Sequence, residues 1–240
     1  MGNSFFKFKQ FTVHQDKCAM KVCTDACLFG AWIVQYISTK KLATDSVLDI
    51  GTGTGLLSLM LAQKSEAAKI DAIEIDPETA QQAVQNFALS PWGNRLNAIE
   101  GDVKNISTAN KYSLIISNPP FFENDLISPI RSRNIALHDA SLTLSELLFV
   151  VKKNLQEDGK FVVLLPFHRS AYFEQLAKDN GLFLEHKVLV RQTDKHDYFR
   201  AMMLFGTKEV STKESELCIK MNGEYTDEFV EILRDYYLLF

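Results

Sequence analysis

The sequence has no long hydrophobic run and no export signal. Its longest apolar stretch covers residues 161–167 of 240, whereas a membrane-spanning helix needs about 20 apolar residues. The N-terminus lacks the basic stretch, apolar core and small-residue cleavage site of a signal peptide. We therefore expect a cytoplasmic protein that does not bind membranes.

The four cysteines are too irregularly spaced to form a disulfide framework or a metal centre. Cys18, Cys23 and Cys27 follow a C-x4-C-x3-C pattern, and no second pair completes a zinc site. The spacing also differs from that of iron–sulfur motifs. We predict reduced thiols to which no function is assigned, and a protein without a bound metal.

The chain also lacks the overall basic charge that an electrostatic binder of nucleic acid usually has. Its net charge is −4, but residues 1–41 carry +4 and residues 207–240 carry −4. A polyanionic partner is therefore expected to approach the N-terminal side. Charge alone fits ordinary solvated surfaces equally well.

Short apolar runs alternate with helical patterns through the middle of the chain. The predicted strands are 47–50, 70–75, 96–100, 112–117 and 160–165. This order predicts an α/β protein, with a mainly parallel sheet and helices on both faces. Two later strands, 183–190 and 200–205, are expected to pair antiparallel at the sheet edge. We expect one domain over residues 1–240, with an N-terminal arm at 1–23.

A glycine-rich turn follows the first of these strands, with the sequence Asp49-Ile-Gly51-Thr-Gly53-Thr-Gly55. Glycines let the backbone turn tightly and approach a ligand closely. A dinucleotide fingerprint has its third glycine one residue later, where this chain has Leu56. The G-x-G-x-G register after an acidic strand end instead resembles S-adenosylmethionine (SAM) methyltransferases. A tight turn without a ligand is the alternative.

Acidic residues follow the next two strands. Glu74 lies 19 residues after Gly55, a spacing at which a carboxylate can accept from both hydroxyls of a ribose. Asp76 is a rival, but Pro77 directly after it favours a helix cap. Asp102 can accept from an adenine amino group, or it can cap a turn.

The segment Ser117-Asn118-Pro119-Pro120-Phe121 follows the fourth strand and indicates the chemistry. An amino group conjugated to a ring is a poor nucleophile, because its lone pair is delocalised. The Asn118 side-chain oxygen and the Pro119 carbonyl can accept its two N–H bonds and free the lone pair, while the prolines keep both acceptors rigid. Phe121 can stack on the ring. A Pro-Pro turn with a core Phe is the alternative.

Narrower motifs lie near the N-terminus, around residue 90 and at the C-terminal end of the chain. They are Phe6-Lys-Phe-Lys-Gln-Phe11, Ala19-Met-Lys21-Val-Cys-Thr24-Asp25, Gly30-Ala-Trp32, Ser90-Pro91-Trp92 after Asn86, and Tyr236-Tyr-Leu-Leu-Phe240. Together with the diproline segment, these motifs resemble the bacterial family that methylates the adenine N6 of tRNA(Val) beside the anticodon. The resemblance covers nearly the whole chain.

This resemblance implies a Rossmann-like class I methyltransferase with a seven-stranded sheet, SAM as cofactor and tRNA as partner. It places Asn118, Pro119 and Phe121 at the target amine, and Asn118 also beside the cofactor. Many relatives have Tyr where this chain has Phe121, so only stacking is carried over. No obligate protein partner is implied.

Several basic and polar residues are further candidates for binding. Lys21 can meet the carboxylate of the cofactor, and Thr24 can contact the cofactor or cap a helix; a surface lysine and an ordinary cap are the alternatives. The remaining candidates are expected to contact RNA. They are Lys7 and Lys9 in the arm, Arg131, Arg133 and His138 after the diproline, and, more weakly, Lys195, His196, Tyr198 and Arg200.

The residues and the resemblance together predict transfer of a methyl group from SAM to an adenine N6 in tRNA, without a metal. Two alternatives stay open. The same site can methylate another planar amine, namely a protein glutamine amide or a DNA adenine. The chain can also be a non-catalytic RNA-binding module, against which the intact glycines and the Asn118-Pro-Pro set argue.

Overall fold

The computed structural model of the protein describes residues 3–18, 20–65, 69–106, 111–120 and 142–240. The strands are β1 (Phe5–Lys7), β2 (Thr12–His14), β3 (Ser46–Ile50), β4 (Lys69–Glu74), β5 (Leu96–Glu100), β6 (Tyr112–Ser117), β7 (Leu155–Pro166), β8 (Phe183–Thr193), β9 (Tyr198–Gly206), β10 (Lys213–Met221) and β11 (Glu224–Tyr225). The helices are α1 (Thr24–Lys40), α2 (Leu56–Lys64), α3 (Pro77–Ala88), α4 (Leu144–Asn154), α5 (Phe167–Asp179) and α6 (Asp227–Leu233).

Strands β3 to β11 form one sheet in the order β11-β10-β8-β9-β7-β6-β3-β4-β5. The stretch from β8 to β5 is the seven-stranded unit that the resemblance implies, and β10 and β11 extend it. β8 and β9 pair antiparallel, as predicted. However, β9 lies inside the sheet between β7 and β8, because its apolar run Ala201–Phe205 is buried on both faces. The antiparallel strand at the edge is the short β11.

The strand order reverses direction at β3, in the middle of the sheet. From β3 the chain continues to β4 and β5 on one side, and it then returns to β6 and β7 on the other. Ile50 at the end of β3 pairs with Ser117 at the end of β6. A reversal of this kind opens a crevice at the carboxyl ends of the strands, which is where parallel sheets bind ligands.

Apolar side chains form a core on each face of the sheet. One core lies beneath α1, α2, α3 and α6, and the other lies beneath α4 and α5. This arrangement confirms the prediction of helices on both faces.

The N-terminal arm contains a hairpin of β1 and β2 that the sequence did not predict. Phe8, Phe11 and Val13 are buried, and the rings of Phe8 and Phe11 stack at 4.5 Å. Phe11 also packs edge-on against Trp92, with ring centroids 5.8 Å apart. The arm is thus joined to the core through its aromatic side chains.

Candidate active site

The glycine turn joins β3 to α2 at the carboxyl edge. Gly51, Gly53 and Gly55 have φ angles of 68°, 58° and 84°, which L side chains rarely adopt. A Cβ atom at Gly51 or Gly53 would have no atom of the described residues within 4 Å, whereas at Gly55 it would collide with the ring of Phe87. The first two glycines therefore leave room for a ligand, and the third allows α3 to pack closely.

Asp49 lies fully buried beneath this turn. Its Oδ2 atom accepts hydrogen bonds of 2.7 Å from the hydroxyls of Thr52 and Ser58. Its Oδ1 atom is buried without a partner among the described residues. Burial raises the pKa of Asp49 to about 6, against the opposing effect of the two hydroxyls. Asp49 therefore ties the turn to the beginning of α2.

Glu74 ends β4 and contacts the same turn. Its Oε2 atom accepts from the Gly53 amide at 3.0 Å, and its Oε1 atom accepts from the Asp76 amide at 3.1 Å. Each oxygen keeps a second lone pair for the hydroxyl of a ligand. Asp76 caps α3 by accepting from the Thr79 amide at 2.8 Å, with Pro77 beside it, so the predicted helix cap is confirmed.

Asp102 follows β5 in a tight turn. Its Oδ1 atom accepts from the Lys104 amide at 2.9 Å, and its Oδ2 atom lies 3.7 Å from the Lys104 ammonium. Lys104 also contacts Glu146 on α4, at 3.2 Å. These are the turn interactions that the sequence left open as an alternative. A contact from Asp102 to an adenine amino group stays a prediction.

The diproline corner, Asn118-Pro119-Pro120, begins where β6 ends. The preceding Ser117 is buried and donates its hydroxyl to the Ile50 carbonyl at 2.9 Å, which ties β6 to β3 just before the glycine turn. Asn118 is half-buried, Pro119 is buried and Pro120 is exposed. The diproline corner and the glycine turn therefore begin at the paired ends of two neighbouring strands, β6 and β3. Phe121, Arg131, Arg133 and His138 lie outside the described residues.

Comparisons with known proteins agree with this arrangement. The profile of the methyltransferase small domain matches residues 30–166. A tRNA1(Val) (adenine(37)-N6)-methyltransferase from Dyadobacter fermentans is 42% identical over 99% of both chains. A protein of the same name from Bacteroides fragilis is 40% identical, again over 99% of both. The chain therefore belongs to the family of tRNA1(Val) (adenine(37)-N6)-methyltransferases.

Solved structures of distant sequence share the fold. A predicted O-methyltransferase from Agrobacterium tumefaciens is 15% identical, with a TM-score of 0.64 over 88% of this chain and 96% of that one. A SAM-dependent methyltransferase from Clostridium acetobutylicum is 16% identical, with a TM-score of 0.54 over 76% and 92%. The class I methyltransferase fold and the family resemblance are thereby confirmed.

The carboxyl edge fits SAM, the cofactor of this class of enzyme. When bound, SAM supplies a methyl group on a positively charged sulfur, which a nucleophile can attack. Gly51 and Gly53 leave open space beside the backbone, and the Glu74 carboxylate next to them suits a ribose diol. Across the described part of the chain, no group of three or more His, Cys, Asp or Glu side chains could hold a metal.

Lys21 and Thr24 both lie at the surface, as the alternative reading of Lys21 expects. The Lys21 ammonium donates to the main-chain carbonyl of Gln15, which is buried. The side-chain Oε1 atom of Gln15 accepts from the Val22 amide at 2.7 Å. Thr24 is exposed and is the first residue of α1. The alternative that Thr24 caps the helix is wrong, because Cys23 occupies the cap position. Cofactor contacts from Lys21 and Thr24 stay predictions.

The two lysines of the hairpin also differ from each other. Lys7 is exposed on β1. The Lys9 ammonium donates to the main-chain oxygens of Arg234 at 2.5 Å and Phe240 at 2.7 Å. Lys9 therefore anchors the segment after α6, a structural role that the sequence did not indicate. RNA contacts from both lysines stay predictions.

Sequence reasoning missed the position of Asn86 between the arm and the glycine turn. Asn86 is only 1% exposed and lies on α3. Its side chain accepts from the His14 amide and donates to the carbonyls of His14 and Thr54, each at 2.9 Å. The sequence offered one indication of this role: Asn86 lies on the same helix face as the buried Ala83 and Phe87, where a polar side chain needs hydrogen-bond partners.

A second missed interaction joins α1 to β9. The Arg200 Nε atom donates to Asp25 Oδ2 at 2.8 Å. Burial acts to raise the pKa of Asp25, but hydrogen bonds from the Cys23 thiol and Arg200 outweigh it and lower this pKa. Burial and Asp25 raise the pKa of Cys23 to about 12, so its thiol stays protonated.

The described helices include none that is long and apolar enough to cross a membrane.

Proposed function

We propose that this protein methylates the N6 amino nitrogen of an adenine in tRNA, beside the anticodon of tRNA(Val). The observation that carries the proposal is the position of the diproline corner directly next to the glycine turn, on the paired ends of β6 and β3. The relatives from Dyadobacter and Bacteroides, whose names state this substrate, support it over nearly the full chain.

The diproline corner can activate the amine without a base. The Asn118 side-chain oxygen and the Pro119 carbonyl accept the two N–H bonds of the amino group. The nitrogen lone pair is then freed from the ring and directed toward the glycine turn, where the methyl donor binds. The proton leaves after the methyl group is attached, so no His138 base is needed. Holding both partners in line supplies most of the rate acceleration.

A tRNA adenine beside the anticodon suits this site for a physical reason. The base lies in a loop and is not paired, so moving it into the crevice costs little free energy. Phe121, directly after the corner, is proposed to stack on it. Exposed Lys7 and Lys17 on the arm favour a polyanionic partner.

The proposed substrate also bears on organisation and location. We expect residues 1–240 to act as one methyltransferase domain with the hairpin arm attached. We expect the enzyme to work in the cytoplasm, where tRNA is modified, without a membrane or an obligate protein partner.

The Asn118→Ala variant tests the proposed activation step. It removes one acceptor from the amine but leaves the glycine turn intact. We expect turnover of tRNA to be abolished while the dissociation constant for SAM, measured by calorimetry, stays near that of the wild type. The exposed Asn97→Ala serves as the matched control and should keep full activity. An equal loss of SAM affinity in Asn118→Ala would contradict the assignment.

Competing substrates test the alternatives. Purified enzyme is incubated with labelled SAM and tRNA, with single-stranded DNA containing adenine, or with a glutamine-containing peptide. Methyl transfer to tRNA alone is expected. Preferential transfer to DNA or peptide would replace the substrate, and SAM binding without transfer to any of them would support a non-catalytic module.

A further inference from the structure

A group of aromatic and basic side chains lies at the carboxyl edge beyond β7, and the proposed reaction does not use it. It is formed by the beginning of α5 and by the turn between β8 and β9. We call it the aromatic edge, and its members are Phe167, Arg169, Tyr172, Arg191, Lys195 and Tyr198.

The aromatic edge exposes large rings to solvent. Phe167 is 37% exposed and Tyr172 is 55% exposed. The ring of Phe167 lies against that of Tyr198, with centroids 5.4 Å apart and planes inclined by 57°. The rings also carry cations, because the Arg169 guanidinium lies 5.7 Å from the Tyr172 centroid. Exposed rings combined with cations form a surface on which unpaired bases can stack.

An ion pair and ring contacts hold this surface in place. The Glu216 carboxylate raises the pKa of the Tyr198 hydroxyl, and Arg191 lies 3.5 Å from the same carboxylate. Arg191 also lies over the ring of Tyr198, at 5.9 Å from its centroid. The rings are therefore positioned before a ligand arrives, which lowers the entropy lost on binding.

The charges around the aromatic edge balance once Glu216 and Asp25 are counted. Segments 166–172 and 191–200 contain four Lys or Arg and two Asp residues, in a chain whose net charge is −4. Arg191 and Arg200 are paired with Glu216 and Asp25. Arg169 lies against the ring of Tyr172, and exposed Lys195 lies in the turn between β8 and β9.

The aromatic edge lies one strand away from the diproline corner. β7 is hydrogen-bonded to β6, with Val163 opposite Ser117. Pro166, the last residue of β7, lies three residues after Val163, and Pro120 lies three residues after Ser117. Phe167 therefore follows the end of β7 close to the diproline corner.

We propose that the aromatic edge binds the unpaired nucleotides next to the target adenine. Phe167 stacks on a neighbouring base, while Arg169 and Lys195 contact the phosphates. This inference rests on the proposed function, since it takes an RNA loop as the substrate. Single-stranded RNA is recognised by this combination of rings and cations, whereas a peptide amide needs neither.

Steady-state kinetics of Phe167→Ala test the stacking. We expect the KM for tRNA to rise roughly tenfold, because one stacked base is lost. The kcat at saturating tRNA and the affinity for SAM should not change, and Phe167→Trp should restore the KM. The matched control is Phe149→Ala, since Phe149 is 67% exposed in the middle of α4. A KM equal to that of the control, or a loss of SAM binding, would overturn the proposal.

A second variant tests the phosphate contact. Lys195→Ala should raise the KM for tRNA and reduce the slope of log KM against log salt by about one. Lys178→Ala, an exposed lysine at the far end of α5, should leave both unchanged. An unchanged salt slope in Lys195→Ala would contradict the assigned contact.

The two proposals can fail separately. If the wild type methylates tRNA but Phe167→Ala behaves like its control, only the aromatic edge is refuted. If the wild type methylates no tRNA, the proposed function is refuted. Binding of a fluorescent anticodon stem–loop to the wild type and Phe167→Ala then decides the aromatic edge: weaker binding by the variant supports it, and equal binding overturns it.

Discussion

Replacement of Asn86 by alanine tests the connection between the hairpin arm and the glycine turn. The substitution removes three hydrogen bonds in a site that is 1% exposed. It leaves the His14 amide and the carbonyls of His14 and Thr54 without this partner. A buried hydrogen bond contributes about 1 kcal/mol and an unsatisfied group costs more, so we expect the free energy of unfolding to fall by about 3 kcal/mol.

Urea denaturation followed by circular dichroism measures this loss. Asn97→Ala is the matched control, because Asn97 is exposed and donates a single hydrogen bond of 2.9 Å to Asp71. We expect the control to lose less than about 1 kcal/mol. Asn86→Ala should also weaken SAM binding, because Thr54 lies between Gly53 and Gly55. A free energy of unfolding for Asn86→Ala equal to or above that of Asn97→Ala would contradict this role of Asn86.

Gly53→Ala tests the glycine turn itself, and Gly181→Ala, after α5, is its matched control. Gly53→Ala and Gly181→Ala both place a side chain at positive φ, 58° and 77°, with no described atom nearby, so each should cost about 1–2 kcal/mol of stability. Only Gly53→Ala should weaken SAM binding in calorimetry, and equal affinities would contradict a ligand at the turn. The raised pKa of Asp49, about 6 against an ordinary 3.8, means that its ionisation destabilises the folded state. Relative to Asp49→Asn, the wild type should therefore lose about 3 kcal/mol as pH rises from about 4 to above 6; a constant difference in urea unfolding would count against it.

The parts of the site that follow strands could be predicted from local sequence. Glu74 ends β4, and Asp102 and Asn118 come within two residues of the ends of β5 and β6; parallel strands bring their carboxyl ends to one edge. Pro77 correctly identified Asp76 as a helix cap, because capping depends only on neighbouring residues. Local rules of this kind need no knowledge of the remaining chain.

The parts that were missed depend on residues distant in the sequence. Asn86 bonds to His14, which is 72 positions away, and Lys9 bonds to Phe240, which is 231 positions away. The strands of the hairpin are only three residues long, and its aromatic side chains pack against distant rings, Phe11 against Trp92 and Phe6 against Tyr237. Patterns among neighbouring residues in the sequence do not reveal these contacts.

The tail of the chain was mispredicted for a related reason. The sequence placed the antiparallel pair of strands 183–190 and 200–205 at the sheet edge, but β10 and β11 continue the sheet beyond β8. β10 has a charged first half, and its inward residues Leu217 and Ile219 come late in the strand. Its alternating pattern is therefore short, and the strand was not recognised.

The enzyme is expected to methylate an adenine in tRNA at the diproline corner beside the glycine turn. Mass spectrometry of nucleosides from tRNA(Val) of a deletion strain tests this expectation most directly, with the strain complemented by the wild type or by Asn118→Ala. We predict that N6-methyladenosine is lost on deletion, restored by the wild type and not restored by Asn118→Ala. An unchanged level of N6-methyladenosine in the deletion strain, or full restoration by Asn118→Ala, would contradict the claim.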